Sequence, residues 1–232
     1  MSLLPFVKLP VYAPRRFLPH HVDWGDWGQV APLFDQLEKR AGGCQTVADF
    51  EEWLLAGGEL AAALDEEASK RYIAMTCHTD NMEAEKAYLH FVERIEPEIK
   101  PRQFALEKLF LEHALRQKLP RRRYAVFDRN TKLHVDLYRP ENVPLETEEA
   151  KLGQQYQKLS GSLTVQFRGE EKTLVQMGRY LVEPDRALRQ EAWELMAQRR
   201  LQEAEKFEDT FEQMLKLREP IATNAGFPNY LE

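Results

Sequence analysis

The sequence predicts a mostly α-helical protein: a multi-helix array with long helices and one β-hairpin at about residues 163–173. Apolar residues recur at three- and four-residue steps through most of the 232 residues. Capping residues and glycine or proline stops punctuate these runs. Strict alternation occurs clearly once, in "LTVQF-RG-EEKTL", around a two-residue turn.

The elements follow in order. "MSLLPFVKLPVYAP" is apolar, but Pro5, Lys8, Pro10 and Pro14 interrupt it, so it lacks the unbroken apolar run of a signal peptide. It reads as an extended arm, residues 1–22, packed across a surface. "DWGQVAPLFDQLEKRAGG" starts at Asp26, places Val30, Leu33, Phe34 and Leu37 on one face, and stops at Gly42-Gly43. The next helix starts at Thr46, with Asp49 three residues on. Its Gly57-Gly58 pair costs about 1 kcal/mol per residue relative to Ala and predicts a break or kink. A third run starts at Asn81, with acids in its first turn to suit the helix dipole. Pro97 and Pro101 predict bends in it and Pro120 its end.

"RYAVFDRNTKLHVDLYRPENVPLE" fits a strand through Phe127, Leu133 and Val135. A helical face of Tyr124, Phe127, Thr131, His134 and Tyr138 fits better, so a helix is expected, with Asn142 to Pro144 as a connector. "LETEEAKLGQQYQKLSG" is helix, closed by Gly161. After the hairpin, Thr173 and Gln176 form a capping box opening a short helix to Leu181. Pro184-Asp185 then opens the last helix, in which Trp193, Ala197, Leu201, Ala204, Phe207, Phe211, Met214 and Leu215 keep helical spacing. A run on the order of 40 residues spans about 60 Å at 1.5 Å per residue. That is long beside a radius of gyration of about 17 Å, so such a helix needs something to lie on. Pro220 predicts a kink or early end; Gly226, followed by Phe227 folding back, predicts the stop.

The net charge of −6 with both signs interspersed argues against a nucleic-acid partner. Cys44 and Cys77 give neither a disulfide framework nor zinc-site spacing and suggest a reducing compartment. No stretch approaches the roughly 18 unbroken apolar residues of a membrane span, so no membrane partner and a cytoplasmic location are expected.

No residue is singled out as catalytic, cofactor-binding or metal-binding. The six histidines, His20, His21, His78, His90, His113 and His134, form no His-Glu-x-x-His and no Glu-x-x-His. His21, Asp23 and Asp26 in "HHVDWGD" offer donor atoms, but no second cluster completes a site, and a polar loop before a helix is the favoured reading. Ser160-Gly161-Ser162 is not a nucleophile elbow. Cys77-His78 are neighbours without an electropositive setting for a thiolate. "KLPRRRYAV" reads as a solvated stretch in an acidic chain.

Several stretches resemble the amino-terminal part of the oligoendopeptidase F-type proteins, within the thimet oligopeptidase-like zinc metallopeptidases. They are "FEEWLLAGGELAAALDEEASKRYIAMTCHTDN", "AEKAYLHFVERIEP", "LYRPENVPLETEEAKLGQQYQKLSGSLTVQFRGEEKTLVQMGRYLVEPDRALRQEAWELMAQRR" and "LREPIATNAGFPNY". The resemblance implies an incomplete portion of a channel-forming helical peptidase fold. It implies hydrolysis of short peptides in the complete enzyme, with zinc held by a His-Glu-x-x-His and a further glutamate downstream of "NAGF-NY". No position here inherits a ligand or catalytic role, so the chain is expected to be inactive alone and to hold no cofactor itself. The expected division is the arm, a helical domain over residues 23–160, and residues 161–232 as the start of a peptidase domain. Expected partners are short peptides and either a missing C-terminal catalytic part or a second copy. Leu231-Glu232 are either native or a scar. The alternative is a non-catalytic helical module that binds a partner protein or peptide.

Overall fold

The structure is a computed structural model that describes residues 15–232. The first fourteen residues, which carry most of the expected arm, lie outside the described residues. Helix α1 (Trp27–Ala41) starts on Asp26, whose carboxylate accepts from the Gly28 N–H, and ends before Gly42. Helix α2 (Val47–Cys77) opens with the Thr46/Asp49 capping box. Helix α3 (Met82–His90) starts on Asn81 and passes through a π-turn, Phe91–Ile95, into α4 (Glu96–Glu112). Then come α5 (Arg121–Leu137), α6 (Asn142–Gly161), the antiparallel strands β1 (Thr164–Phe167) and β2 (Glu170–Thr173), the short α7 (Leu174–Met177), α8 (Arg186–Leu201) and α9 (Ala204–Ala225). The hairpin pairs Thr164 with Thr173 and Phe167 with Glu170. Its turn residues, Arg168 and Gly169, both take positive φ, 52° and 82°, as a two-residue hairpin turn demands.

Most expected starts hold, and several stops differ. Gly57-Gly58 do not interrupt α2, because buried Trp53 and Ala56 before the pair and Leu60, Ala63 and Leu64 after it fix both sides in one core. Pro97 is absorbed by the π-turn: the Glu96 N–H reaches back five residues to the Phe91 carbonyl just before the proline, which has no N–H to give. Pro101 sits inside an uninterrupted α4. That helix ends at Glu112, ahead of Pro120. The His113 ring takes over there, accepting from the Leu115 N–H at Nδ1 and presenting Nε2 to the Ala41 carbonyl at 3.3 Å. Pro120 instead opens α5, its carbonyl accepting from Arg123 and Tyr124. Asn142 to Pro144 is the first turn of α6 rather than a connector, since proline suits a turn whose N–H groups have no partner.

The expected 40-residue helix is two helices, broken at Gln202-Glu203. The inner face of α8 packs on the hairpin and α7, where Phe167, Met177 and Ala192 form a small buried cluster. The inner face of α9 packs along α6. One straight helix cannot serve both directions. Glu203 stabilises the corner by pairing with Arg199 (3.0 Å) and Lys206 (2.6 Å). Pro220 lies inside α9 without ending it, and Gly226 stops it at φ 92°.

The larger core joins α1, α2, the π-turn and α4. Phe50 stacks on Phe110 (centroids 5.9 Å apart) and on the His113 ring (4.2 Å). Residues 15–22 form neither helix nor strand. Residues 16–18 are tied to α2 through Glu59, whose carboxylate accepts from the N–H groups of Arg16 (3.0 Å), Phe17 (3.1 Å) and Leu18 (2.9 Å). Burial pushes this carboxyl up, but the backbone donors and the charge of Arg15 outweigh it and leave it below its ordinary value of 4.5.

The Glu59→Gln variant is expected to lose about 1–2 kcal/mol at neutral pH, read by urea unfolding. Because the folded carboxyl titrates low, its contribution is present above pH 4.5 and is lost as the pH falls through the folded value, so the variant and parent converge in acid. A Cβ at Gly57 or Gly58 meets nothing within 4 Å, so Gly57→Ala and Gly58→Ala are each expected to raise stability by about 1 kcal/mol in the same measurement.

Candidate functional site

The structure scatters the candidate chemical groups. Asp23 and Asp26 accept from the Gly25 and Gly28 N–H groups, both at 2.9 Å, so their oxygens serve the loop and the α1 cap. His90 faces the Gly25 carbonyl at 2.9 Å and His134 pairs with Glu107 at 2.5 Å. Ser162 donates to the Leu159 carbonyl. Cys44 and Cys77 are both free thiols; burial, then the nearby Asp49, pushes the Cys44 thiol up against the opposing pull of Arg40, the reverse of what a nucleophile needs. In the basic run, Arg123 pairs with Glu51 at 3.1 Å. Among the described residues, no group of three or more His, Cys, Asp or Glu is placed to hold a metal ion, so these residues do not fit a zinc site. A half-buried carboxyl escaped the sequence reading: burial pushes Glu96 up, against Lys100, which pulls it down.

What the fold does assemble is a surface where α6, α8 and α9 meet. Its position depends on the C-terminal end of α9. Gly226 donates to Thr223 and Phe227 to Ala222, a Schellman pattern that turns the chain back. The remaining carbonyls are taken by the corner between α5 and α6. Arg139 Nε donates to Asn224 at 2.9 Å, and Asn142 Nδ2 donates to Ile221 at 3.0 Å. Asn224 Nδ2 donates in return to Asn142 Oδ1 at 2.8 Å. Further along, Arg218 pairs with Glu149 of α6 at 2.6 Å, and Phe207 meets Tyr156 edge to face at 5.6 Å.

Held this way, the two helices leave large apolar residues in solvent: Trp193 (62 % exposed), Leu201 (72 %), Phe211 (56 %) and Leu215 (48 %). Exposed apolar residues of this size offer a candidate interaction surface. Beside it, between α6 and α9, opens a cavity of about 460 Å³ lined by Tyr156, Phe207, Phe211, Met214, Arg200 and Arg218 among others. The helical spacing of the last run made its apolar residues visible in the sequence. The cavity was not visible, because it needs α6 beside α9.

A model of the peptidase M3 N-terminal domain matches residues 20–138, just over half of the chain. The chain belongs to that family. The match to the M3 N-terminal domain ends at Tyr138, which caps α5. Structural likeness runs further. A solved structure described as PZ peptidase A with an inhibitor superposes with a TM-score of 0.82 at 24 % identity, covering 93 % of this chain and 38 % of that one. A structure described as oligoendopeptidase F gives a TM-score of 0.82 at 24 % identity, over 94 % of this chain and 38 % of that one. One described as oligoendopeptidase F from Bacillus anthracis gives 0.82 at 20 % identity, over 91 % of this chain and 39 % of that one. The fold of the M3 N-terminal domain and of α6–α9 beyond it is thus shared with these structures, and this chain spans about 38 % of the length of the first two. None of the curated proteins matches the chain. No helix among the described residues is long and apolar enough to cross a membrane.

Asn142 is 4 % exposed and serves both sides of the joint. The Asn142→Ala variant removes the side-chain donor to the Ile221 carbonyl and the acceptor of the Asn224 amide, and is expected to cost about 1–2 kcal/mol. Hydrogen exchange of the last turns of α9 is expected to accelerate more than that of α2, which the substitution does not touch.

Proposed function

We propose that this chain is the amino-terminal lobe of a zinc-dependent oligoendopeptidase. In this reading it walls a channel for short peptides, and hydrolysis takes place at a metal site on another part of the protein, so that the chain is inactive alone. The observation that carries the reading is the set of exposed apolar residues Trp193, Leu201 and Leu215 on the outer side of α8 and α9. Among the described residues this side packs on nothing comparable, and a catalytic part of the kind the longer relatives possess would cover it. The domain division at residue 160 belongs to the same proposal. The two separate buried clusters support it, one around α1, α2 and α4 and one around the hairpin and α8. The free thiols of Cys44 and Cys77 support a cytoplasmic location.

A quenched-fluorescence peptide assay tests the reading. The 232-residue chain is expected to show no zinc-dependent cleavage. Turnover that a chelator abolishes would refute inactivity alone. The DNA beyond codon 232 is expected to encode a His-Glu-x-x-His, in frame or frameshifted; its absence from all frames there would overturn the assignment as a peptidase lobe.

A further inference from the structure

The cavity between α6 and α9 falls within the range of about 300–1,000 Å³ typical of ligand pockets. Its wall is mostly aromatic and apolar, with Tyr156 from α6 and Phe207, Phe211 and Met214 from α9, and it includes the hydroxyl groups of Ser160 and Thr210. The charged residues that line it are Arg200 and Arg218, and no carboxylate lines it, although the chain carries a net charge of −6. This separation is built into α9. Glu205, Glu208, Asp209, Glu212 and Glu219 all belong to that helix. At roughly 100° per residue, each lies about 100° or more around the helix from the side bearing Phe207, Met214 and Arg218. The acids of α9 face away and Arg218 faces in, while Lys206 and Lys216 point elsewhere, to Glu203 and Glu212.

The two arginines are not equivalent. Arg218 already pairs with Glu149 at 2.6 Å, and its guanidinium lies 5.3 Å from the centre of the Tyr230 ring. Arg199, the neighbour of Arg200, pairs with Glu203 at 3.0 Å. The Arg200 guanidinium makes no ion pair or hydrogen bond among the described residues, yet it stands at the edge of an apolar cavity. A planar fork of donors in that position matches a carboxylate attached to an apolar group.

We propose that this cavity receives the carboxyl-terminal residue of a peptide, with its apolar side chain among Tyr156, Phe207 and Phe211 and its terminal carboxylate on Arg200. The proposal rests on the peptide-channel reading above and adds to it a recognised end of the peptide. It limits the depth to which a peptide enters on this side, since the chain cannot continue past a carboxylate held by Arg200.

Calorimetric titration of the 232-residue chain with N-acetyl-leucyl-phenylalanine, with its carboxamide, and with octanoate tests this. The free acid is expected to bind about tenfold more tightly than the carboxamide, the scale of one charge-assisted contact, and more tightly than octanoate. Arg200→Gln is expected to abolish the preference for acid over amide while amide affinity and helical circular dichroism stay unchanged; Arg200→Lys is expected to keep part of the preference. Phe211→Ala is expected to weaken acid and amide alike. Equal binding of acid and amide, no binding of either, or a preference that survives Arg200→Gln overturns the subsite. Octanoate binding as tightly as the peptide acid overturns the peptide assignment in favour of simple aliphatic acids. None of these readings depends on turnover, so failure here is distinct from failure of the cleavage assay.

Discussion

The structure depends on how the last helix is tied down. The carbonyls at the C-terminal end of α9 have no partners within the helix, and burial makes unpartnered carbonyls costly. Arg139 and Asn142, at the corner where α5 gives way to α6, supply the donors, and Asn224 returns a hydrogen bond to Asn142. A guanidinium at this end also sits where the helix dipole is negative. The joint sets the line of α9 along α6, and the ion pair between Arg218 and Glu149 holds that line further up. Without this alignment there is no cavity between the helices, and the outer side of α9 has no fixed direction.

The two ends of the molecule are built differently. Around α1, α2 and α4 the apolar residues are turned inward and stacked, with Phe50, Phe110 and the His113 ring at the centre. Around α8 and α9 comparable apolar residues are turned outward. Exposure is not confined to that end, since Leu55 and Ile73 of α2 and Val126 and Leu133 of α5 also stand in solvent. What the described residues offer a ligand at the second end is surface: aromatic rings, guanidinium groups and the direction of one helix pair. This second end lies beyond the residues matched by the M3 N-terminal domain, in the part whose fold is shared with the oligoendopeptidase F structures.

The sequence made the helices legible wherever a local signal sets a boundary. Asp26, Thr46, Asn81 and Thr173 each cap the helix expected of them, because a short polar side chain next to free N–H groups acts within three residues, while Asp185 caps α8 where Pro184 was expected as its first residue. Gly226 is equally local, since its positive φ needs a residue without Cβ. Boundaries set by distant partners were not legible. The end of α4 depends on the His113 ring reaching the α1 terminus, and the corner at Gln202-Glu203 on α8 and α9 facing different neighbours. Leu201 and Ala204 keep helical spacing straight across that corner, so periodicity alone could not reveal it. The apolar run of the last segment was readable as a run, but its exposure was not, because Ala192 rather than Trp193 turned out to face the hairpin cluster.

The corner at Gln202-Glu203 also separates two kinds of contact order. Before it, the hairpin, α7 and α8 are held by contacts between residues close in sequence, which form quickly because little chain must be gathered to make them. After it, α9 is held by partners 69 to 86 residues away, and each of those contacts closes a long loop. The two residues between Leu201 and Ala204 thus mark where contacts local in sequence give way to contacts that close long loops.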